Sequence, residues 1–365
     1  MRYSTHYDTG DAKRGDGINE DSLSMTVFED GHRQGYRRAD DTPPAEATDS
    51  STRSVAVFVL ADGAGGHDAG DVASYLATTG IAERLAPVAI RTARGRPERF
   101  DVDIDDGVLP AEQTAAGLQS AITDAIVEAH RDILRYVDST GTRSYTTAVA
   151  GISVGGTLHL GWVGDSRAYV VNDTAERIER LTKDHALVQR WVDAGEIDEF
   201  ESQVHPRGNE ITRALGGPGG QDAASATVEV DTRTVDLYAE DTVLVTSDGL
   251  VDAQSDAPSL YRQYVDSGKS EAAAERIRDR AVTDDDLRVS CCRRSRSPRL
   301  ARRSSRWPTI GAEKTTSRSS CSATTRYRRP RPRIRARCGT STRRGVSSTV
   351  GRTKNNARSE RPSRE

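Results

Sequence analysis

Four acidic groups stand where the chain enters or leaves apolar, β-branched runs. Asn19, Glu20 and Asp21 precede the run Ser22–Phe28, and Asp62 with Gly63 closes Ser54–Ala61. Asp165 separates Thr157–Val163 from Arg167–Val171, and Asp248 and Asp252 follow Thr242–Thr246. Carboxylates drawn from several strand ends suit hard divalent cations such as Mg2+ and Mn2+, which take oxygen ligands and keep several waters. Gly63 suits a main-chain carbonyl ligand, because a residue without a side chain lets the backbone approach an ion closely. Any one Asp-Gly pair by itself reads as a turn. Four such clusters read together as one site.

The elements that must position them follow from periodicity and punctuation. Ser22–Phe28 and Ser54–Ala61 read as strands, separated by a polar insertion at about 29–53. Apolar residues at helical spacing predict helices over Asp71–Leu85 and Ala111–Val137, with a charged, irregular insertion at about 91–110 between them. Further strands are expected at Thr146–Val154, Thr157–Val163, Arg167–Val171, Ala226–Val230 and Thr242–Thr246, and helices at Asp184–Ala194 and Ser270–Ala281. Because only a short turn joins Thr157–Val163 to Arg167–Val171, they are expected to form an antiparallel hairpin with Asp165 in its turn. The fold class expected is α+β: a β-sandwich of two mostly antiparallel sheets flanked by α-helices.

Charge divides the chain. Of 52 Lys and Arg and 55 Asp and Glu, the stretch 288–365 holds 24 basic and only 3 acidic residues, so it carries +21 and residues 1–287 carry -24. A field that negative repels polyanions, so nucleic acid is excluded as a partner of the main domain. The longest unbroken apolar run, Val55–Ala61, is far short of a membrane span, and the start of the chain lacks an apolar signal core, so neither membrane insertion nor export is expected and the location expected is cytoplasmic. All four cysteines, Cys291, Cys292, Cys321 and Cys338, lie in the tail at spacings that match no metal knuckle. The domain reading is a catalytic-type domain over 1–287 followed by a basic Arg/Ser-rich tail over 288–365 that is disordered by composition. A reading-frame slip near codon 286 accounts for such a tail, and a genuine basic arm is the alternative.

The order of these clusters resembles the PPM family, the type 2C metal-dependent serine/threonine protein phosphatases, over Gly10 to about Asp286. The resemblance also runs through Thr146-Thr147-Ala148-Val149-Ala150, Leu181-Thr182-Lys183-Asp184-His185, and His205-Pro206 leading to Ile211–Gly216. It implies two divalent cations, Mn2+ or Mg2+, and a weaker third. By position, Glu20 resembles the ligand of one ion, Asp62 the bridging carboxylate, Gly63 the carbonyl ligand and Asp248 the ligand of the other ion. Asp165 and Asp252 match the holders of the third ion. The implied chemistry is hydrolysis of phosphoserine and phosphothreonine by a metal-activated water attacking in line, with Asp62 and Asp248 at its centre. The implied partners are phosphorylated proteins, a serine/threonine kinase or that kinase's substrates.

Three departures accompany the resemblance. Asp16 stands where the family places a phosphate-binding arginine, leaving Arg14 as the substitute, and Ala64 stands where many members have a histidine after the Asp-Gly pair. At the C-terminal end Asp285 is the best match to the last metal-binding aspartate, with Asp286 in the place of an asparagine and Leu287–Cys292 as a poor strand. The alternative function is therefore a PPM-fold signalling or binding module whose turnover is impaired. Two other motifs are weighed and set aside. Gly151-Ile152-Ser153-Val154-Gly155 has the spacing of a nucleophile elbow but runs into another strand instead of a helix, and His185 and His205 read as structural contacts, not ligands.

Overall fold

From Val55 to Ala61 every side chain is apolar, so this strand must be covered on both faces. The computed structural model describes residues 2–8, 19–28, 54–64, 69–94, 114–172, 174–238, 240–250, 256–283, 286–288 and 320–326. The chain divides into a unit of residues 1–329 and a unit of residues 330–365, the second wholly outside the described residues. In the first unit the elements are β1 (Arg2–Asp8), β2 (Asp21–Phe28), β3 (Val55–Ala64), α1 (Gly70–Arg94), α2 (Ala115–Thr140), β4 (Ser144–Thr146) and β5 (Ala148–Val154). There follow β6 (Thr157–Val163), β7 (Arg167–Asn172), β8 (Arg177–Arg180), α3 (Leu187–Asp193), α4 (Glu199–Val204), β9 (Leu215–Gly217) and β10 (Asp231–Asp236). The last are β11 (Asp241–Thr246), α5 (Ala257–Asp266), α6 (Glu271–Arg278) and β12 (Ser320–Arg326).

Two sheets result. One runs β10-β6-β5-β3-β4-β9, with β2 on the other edge of β3, and the second runs β1-β12-β11-β7-β8. Every described strand pair is antiparallel. Alternation assigns the faces. In β3, Val55, Val57, Val59 and Ala61 face α1 and α2, and Phe58 and Leu60 face the second sheet. In β7, Ala168 and Val170 enter the space between the sheets, and Tyr169 and Val171 face outward to Leu244 and Leu287. The helices meet the first sheet through stripes at helical spacing: Ala73, Ala77, Ile81, Leu85 and Ala89 on α1, and Leu118, Ile122, Ile126, Ile133 and Val137 on α2. No helix among the described residues is long and apolar enough to cross a membrane.

The α+β sandwich agrees with the sequence reading, and several elements depart from it. β6 and β7 do not pair with each other: β6 lies between β5 and β10, and β7 between β11 and β8, so residues 164–166 carry the chain from one sheet to the other. The backbone reason is Gly164, whose φ of +106° is open only to glycine in practice and turns the strand away from its predecessor. The expected strand Thr146–Val154 breaks at Thr147 into β4 and β5. Residues 226–230 are not a strand; the pairing starts at Asp231, opposite Trp162. α1 continues through Pro87 to Arg94, held by the burial of Val88, Ala89 and Ala93, so the expected insertion at 91–110 begins inside a helix.

The end of the acidic domain and the tail also differ from expectation. Residues 286–288 form a helical turn instead of the start of a strand, with Leu287 buried among Tyr169, Val171 and Leu244. Within the tail read as disordered, Ser320–Arg326 forms β12 between β1 and β11. Main-chain pairing needs no particular side chain, and the small and β-branched residues of Ser320–Thr325 tolerate an extended backbone.

Gly151 and Gly155 have purely structural roles. Gly155 and Gly156, at φ +60° and +89°, make the two-residue turn joining β5 to β6. A Cβ on Gly151 would lie 2.3 Å from the Phe58 ring. Gly151→Ala is therefore expected to destabilise the domain by about 1–3 kcal/mol through overpacking. Thermal denaturation should show a fall of roughly 2–4 °C for each kcal/mol, and an unchanged melting temperature would contradict this packing.

Candidate active site

The acidic strand ends meet at one end of the sandwich, where both sheets terminate. The register of β2 on β3 sets Asp21 directly across from Asp62. Asp21 is buried, its N–H donates to Asn19 Oδ1 at 2.8 Å, and its Oδ2 accepts from Ser247 Oγ at 3.0 Å. Ser247 lies between β11 and a 3-10 turn at Asp248–Leu250, so this bond joins the start of β2 to the end of β11 across the two sheets.

Asp62 is held by its backbone on both sides. Its N–H donates to Thr147 Oγ1 at 3.0 Å, and its carbonyl accepts from Thr147 N–H at 2.8 Å and from Thr146 Oγ1 at 2.9 Å. Thr147 Oγ1 also lies 2.8 Å from Ser166 Oγ, next to Asp165. The break between β4 and β5 therefore serves the site: it turns Thr147 toward the end of β3.

Gly63 sits in a cradle with no room for a side chain. Its N–H donates to the Glu20 carbonyl at 3.0 Å, and a Cβ there would lie 2.2 Å from the Gly70 carbonyl oxygen. A Cβ on Gly70, the first residue of α1, would lie 3.0 Å from Glu20 Oε1. The Glu20 carboxylate thus stands against the amino end of α1 and the Gly63 peptide, where helix polarity favours negative charge.

The electrostatics identify the centre. Burial pushes the Asp62 carboxyl well above the usual carboxylate range, and the facing charges of Asp248, Asp21 and Asp165 push it further in the same direction. Like charges gathered at one point are stabilised by cations. Every side-chain donor here is a hard oxygen, the ligand type that Mg2+ and Mn2+ take. Among the described residues, no three His, Cys, Asp or Glu side chains are placed so that they could hold a metal ion together.

Of the residues singled out from sequence, Asp62, Asp165 and Asp248 come together, and Glu20 and Gly63 lie on the same strand ends. Arg14, Asp252 and Asp285 lie outside the described residues, as do Asp16 and His67. Asp21 was missed, although the signal was present: it is the third residue of the Asn19–Asp21 triplet and the first of β2, so its side chain leaves the opposite face from that of Glu20. Ser153 is buried within β5, with no elbow around it. His205 meets Trp191 and Tyr261 edge-on. A cleft of about 350 Å³ opens beside Asp165, bounded by Arg167, Gln189, Gln203, Asn209 and Pro258.

Comparison with known proteins agrees with this geometry. The family model described as protein phosphatase 2C matches residues 31–279, more than half of the chain. The serine/threonine phosphatase stp of Listeria innocua is 34% identical over 203 residues, 55% of this chain and 69% of that protein. The serine/threonine protein phosphatase PstP of Mycobacterium tuberculosis is 34% identical over 218 residues, 59% of this chain and 36% of that protein. The matched stretch thus spans about two thirds of the Listeria relative and little over a third of the mycobacterial one. Among solved structures, a serine/threonine phosphatase of S. agalactiae superposes with a TM-score of 0.52 at 21% identity, covering 90% of this chain and 99% of that one. A bacterial serine phosphatase superposes with a TM-score of 0.51 at 21% identity, covering 89% of this chain and 96% of that one. These matches show that the chain belongs to the PPM family, the type 2C metal-dependent serine/threonine protein phosphatases.

Proposed function

We propose that the chain hydrolyses phosphoserine and phosphothreonine in proteins through a two-cation site, and that it acts in the cytoplasm against a serine/threonine kinase or that kinase's substrates. The observation that carries this reading is the convergence of Asp21, Asp165 and Asp248 on the half-buried Asp62 from separate strand ends. The names of the Listeria and mycobacterial relatives support the same substrate class.

In this reading Glu20, Asp62, Gly63, Asp248 and Asp285 hold two divalent cations, and Asp165 and Asp252 hold a third. The cations lower the pKa of water and neutralise charge on the phosphoryl oxygens. The protein's part is positional. Thr146 and Thr147 lock the Asp62 peptide, Ser247 orients Asp21, and the glycine cradle brings the Gly63 main chain beside Glu20. Ala64 offers no proton to the leaving oxygen, so the Asp62-Gly63 turn contributes no side-chain acid. Arg14 is the cation assigned to the substrate phosphate, and the cleft beside Asp165 accommodates the chain around the phosphorylated residue.

Hydrolysis of p-nitrophenyl phosphate and of a phosphothreonine peptide should require Mn2+ or Mg2+ and stop in EDTA. Absence of cation-dependent hydrolysis at every salt concentration would favour a non-catalytic PPM-fold module. Asp62→Asn and Asp248→Asn should each lower turnover by about 10²-fold or more, and Asp165→Asn by less.

Asp62→Asn has a second expected effect, of opposite sign. Because the folded-state pKa of Asp62 is raised, the folded metal-free protein binds more protons than the unfolded chain between the ordinary and the raised values. Its stability is therefore complete below the ordinary carboxylate value and falls as pH rises through the raised one. At neutral pH in EDTA, Asp62→Asn should raise the melting temperature by roughly 2–4 °C, on the order of 1 kcal/mol. Melting curves with and without Mn2+ check this, and a lower melting temperature for Asp62→Asn in EDTA would contradict it.

A further inference from the structure

His185 is buried one residue before the chain pairs with Ile211. It grips Gly164 at two points. The Gly164 N–H donates to His185 Nδ1 at 3.0 Å, and the His185 N–H donates to the Gly164 carbonyl at 2.9 Å. The ring stacks on Trp162 at 6.3 Å with 15° between planes, and Thr212 N–H donates to the His185 carbonyl at 2.7 Å.

The hydrogen-bond accounting fixes the tautomer. A backbone N–H can only donate, so Nδ1 must accept and the ring proton must sit on Nε2. Nε2 lies 3.1 Å from Arg213 Nη1 and 3.3 Å from Asp231 Oδ2, and Asp231 in turn holds Arg213 Nη1 at 2.7 Å. Burial and the neighbouring Arg213 lower the His185 pKa, in keeping with a neutral ring. Opposite this ring, a Cβ on Gly164 would lie 2.6 Å from Thr147, the residue that locks Asp62. The peptide that precedes Asp165 is therefore clamped between an oriented imidazole and the support of Asp62.

We propose that His185 is a positioning residue for Asp165: with Nδ1 accepting from the Gly164 N–H, it fixes the Gly164 peptide so that the Asp165 carboxylate is held toward Asp62. This rests on the reading of Asp165 as a cation ligand. Partners that orient a ligand without touching the ion typically change metal affinity by about 10–100-fold.

The test is a Mn2+ titration of the metal-free full chain, with free Mn2+ read by its EPR signal and melting temperature read in parallel. Asp165→Asn should remove the weakest binding event. His185→Leu should weaken that same event by about tenfold or more while the tighter events move less than about twofold. His185→Asn, whose amide oxygen can take the place of Nδ1, should recover most of the loss. Asp231→Ala, which removes the carboxylate facing Nε2 and Arg213, should weaken the event in the same direction. Wild-type affinity for that event in both Asp231→Ala and foldable His185→Leu overturns the proposal. So does a loss spread evenly over all events, which marks a merely structural residue. If Asp165→Asn leaves every event unchanged, the ligand reading of Asp165 fails and takes the proposal with it, an outcome distinct from the failure of His185 alone.

Discussion

Thr147 ties the two sheets together where the carboxylates meet. Its hydroxyl accepts the Asp62 N–H and lies within hydrogen-bond distance of Ser166 Oγ, and its own N–H returns to the Asp62 carbonyl. One side chain thus couples the end of β3 in the first sheet to the entry of β7 in the second. Because accepting from a backbone N–H leaves the hydroxyl proton to donate, the bond to Ser166 is satisfied at the same time. Much else at this end is arranged around it. The strand is interrupted so that Thr147 can turn inward, Gly164 lacks a side chain because Thr147 occupies the space, and His185 holds the corner from its other side.

That scaffold is needed because the group it holds is unfavourable without cations. Asp62 sits in a site where burial and three neighbouring carboxylates all oppose its ionisation. Such a cluster disperses unless its backbone is over-determined, and here each strand end is bonded on more than one side. Stability and site chemistry therefore oppose each other locally, and the surrounding layers carry the difference. β3 is covered by helices on one face and by the second sheet on the other, so the strand that ends in Asp62 is anchored by the two largest apolar clusters in the molecule.

Charge separates these roles on a larger scale. Residues 1–287 carry a net charge of -24, and a field that negative makes local neutralisation at the carboxylate end more favourable. Among the described carboxylates away from that end, many are paired in ordinary ion pairs, such as Asp184 with Arg167 and Asp132 with Arg84. At the Asp62 site the neighbours that shift its charge are all acidic.

Local order decided what the sequence alone could determine. Apolar runs and helical stripes are properties of neighbouring residues, so β2, β3, β6, β7, β11 and α2 were legible near their true bounds, as were the start of α1 and the gathering of acidic residues at strand ends. Their pairing was not. Thr157–Val163 and Arg167–Val171 are consecutive strands with a short link, and only the left-handed backbone of Gly164, packed against Thr147, sends them into different sheets. The short β4, β8 and β9 and the helix α4 carry too few residues for a periodic signal. β12 could not be read from a composition typical of disorder, since a strand position between β1 and β11 is filled through backbone groups that every residue shares. Asp21 is the sharpest case. Its neighbour Glu20 was legible by resemblance, but a side chain's partner depends on cross-strand register and on what the second sheet brings to it, and here these were Asp62 and Ser247, distant in sequence and adjacent only in the fold.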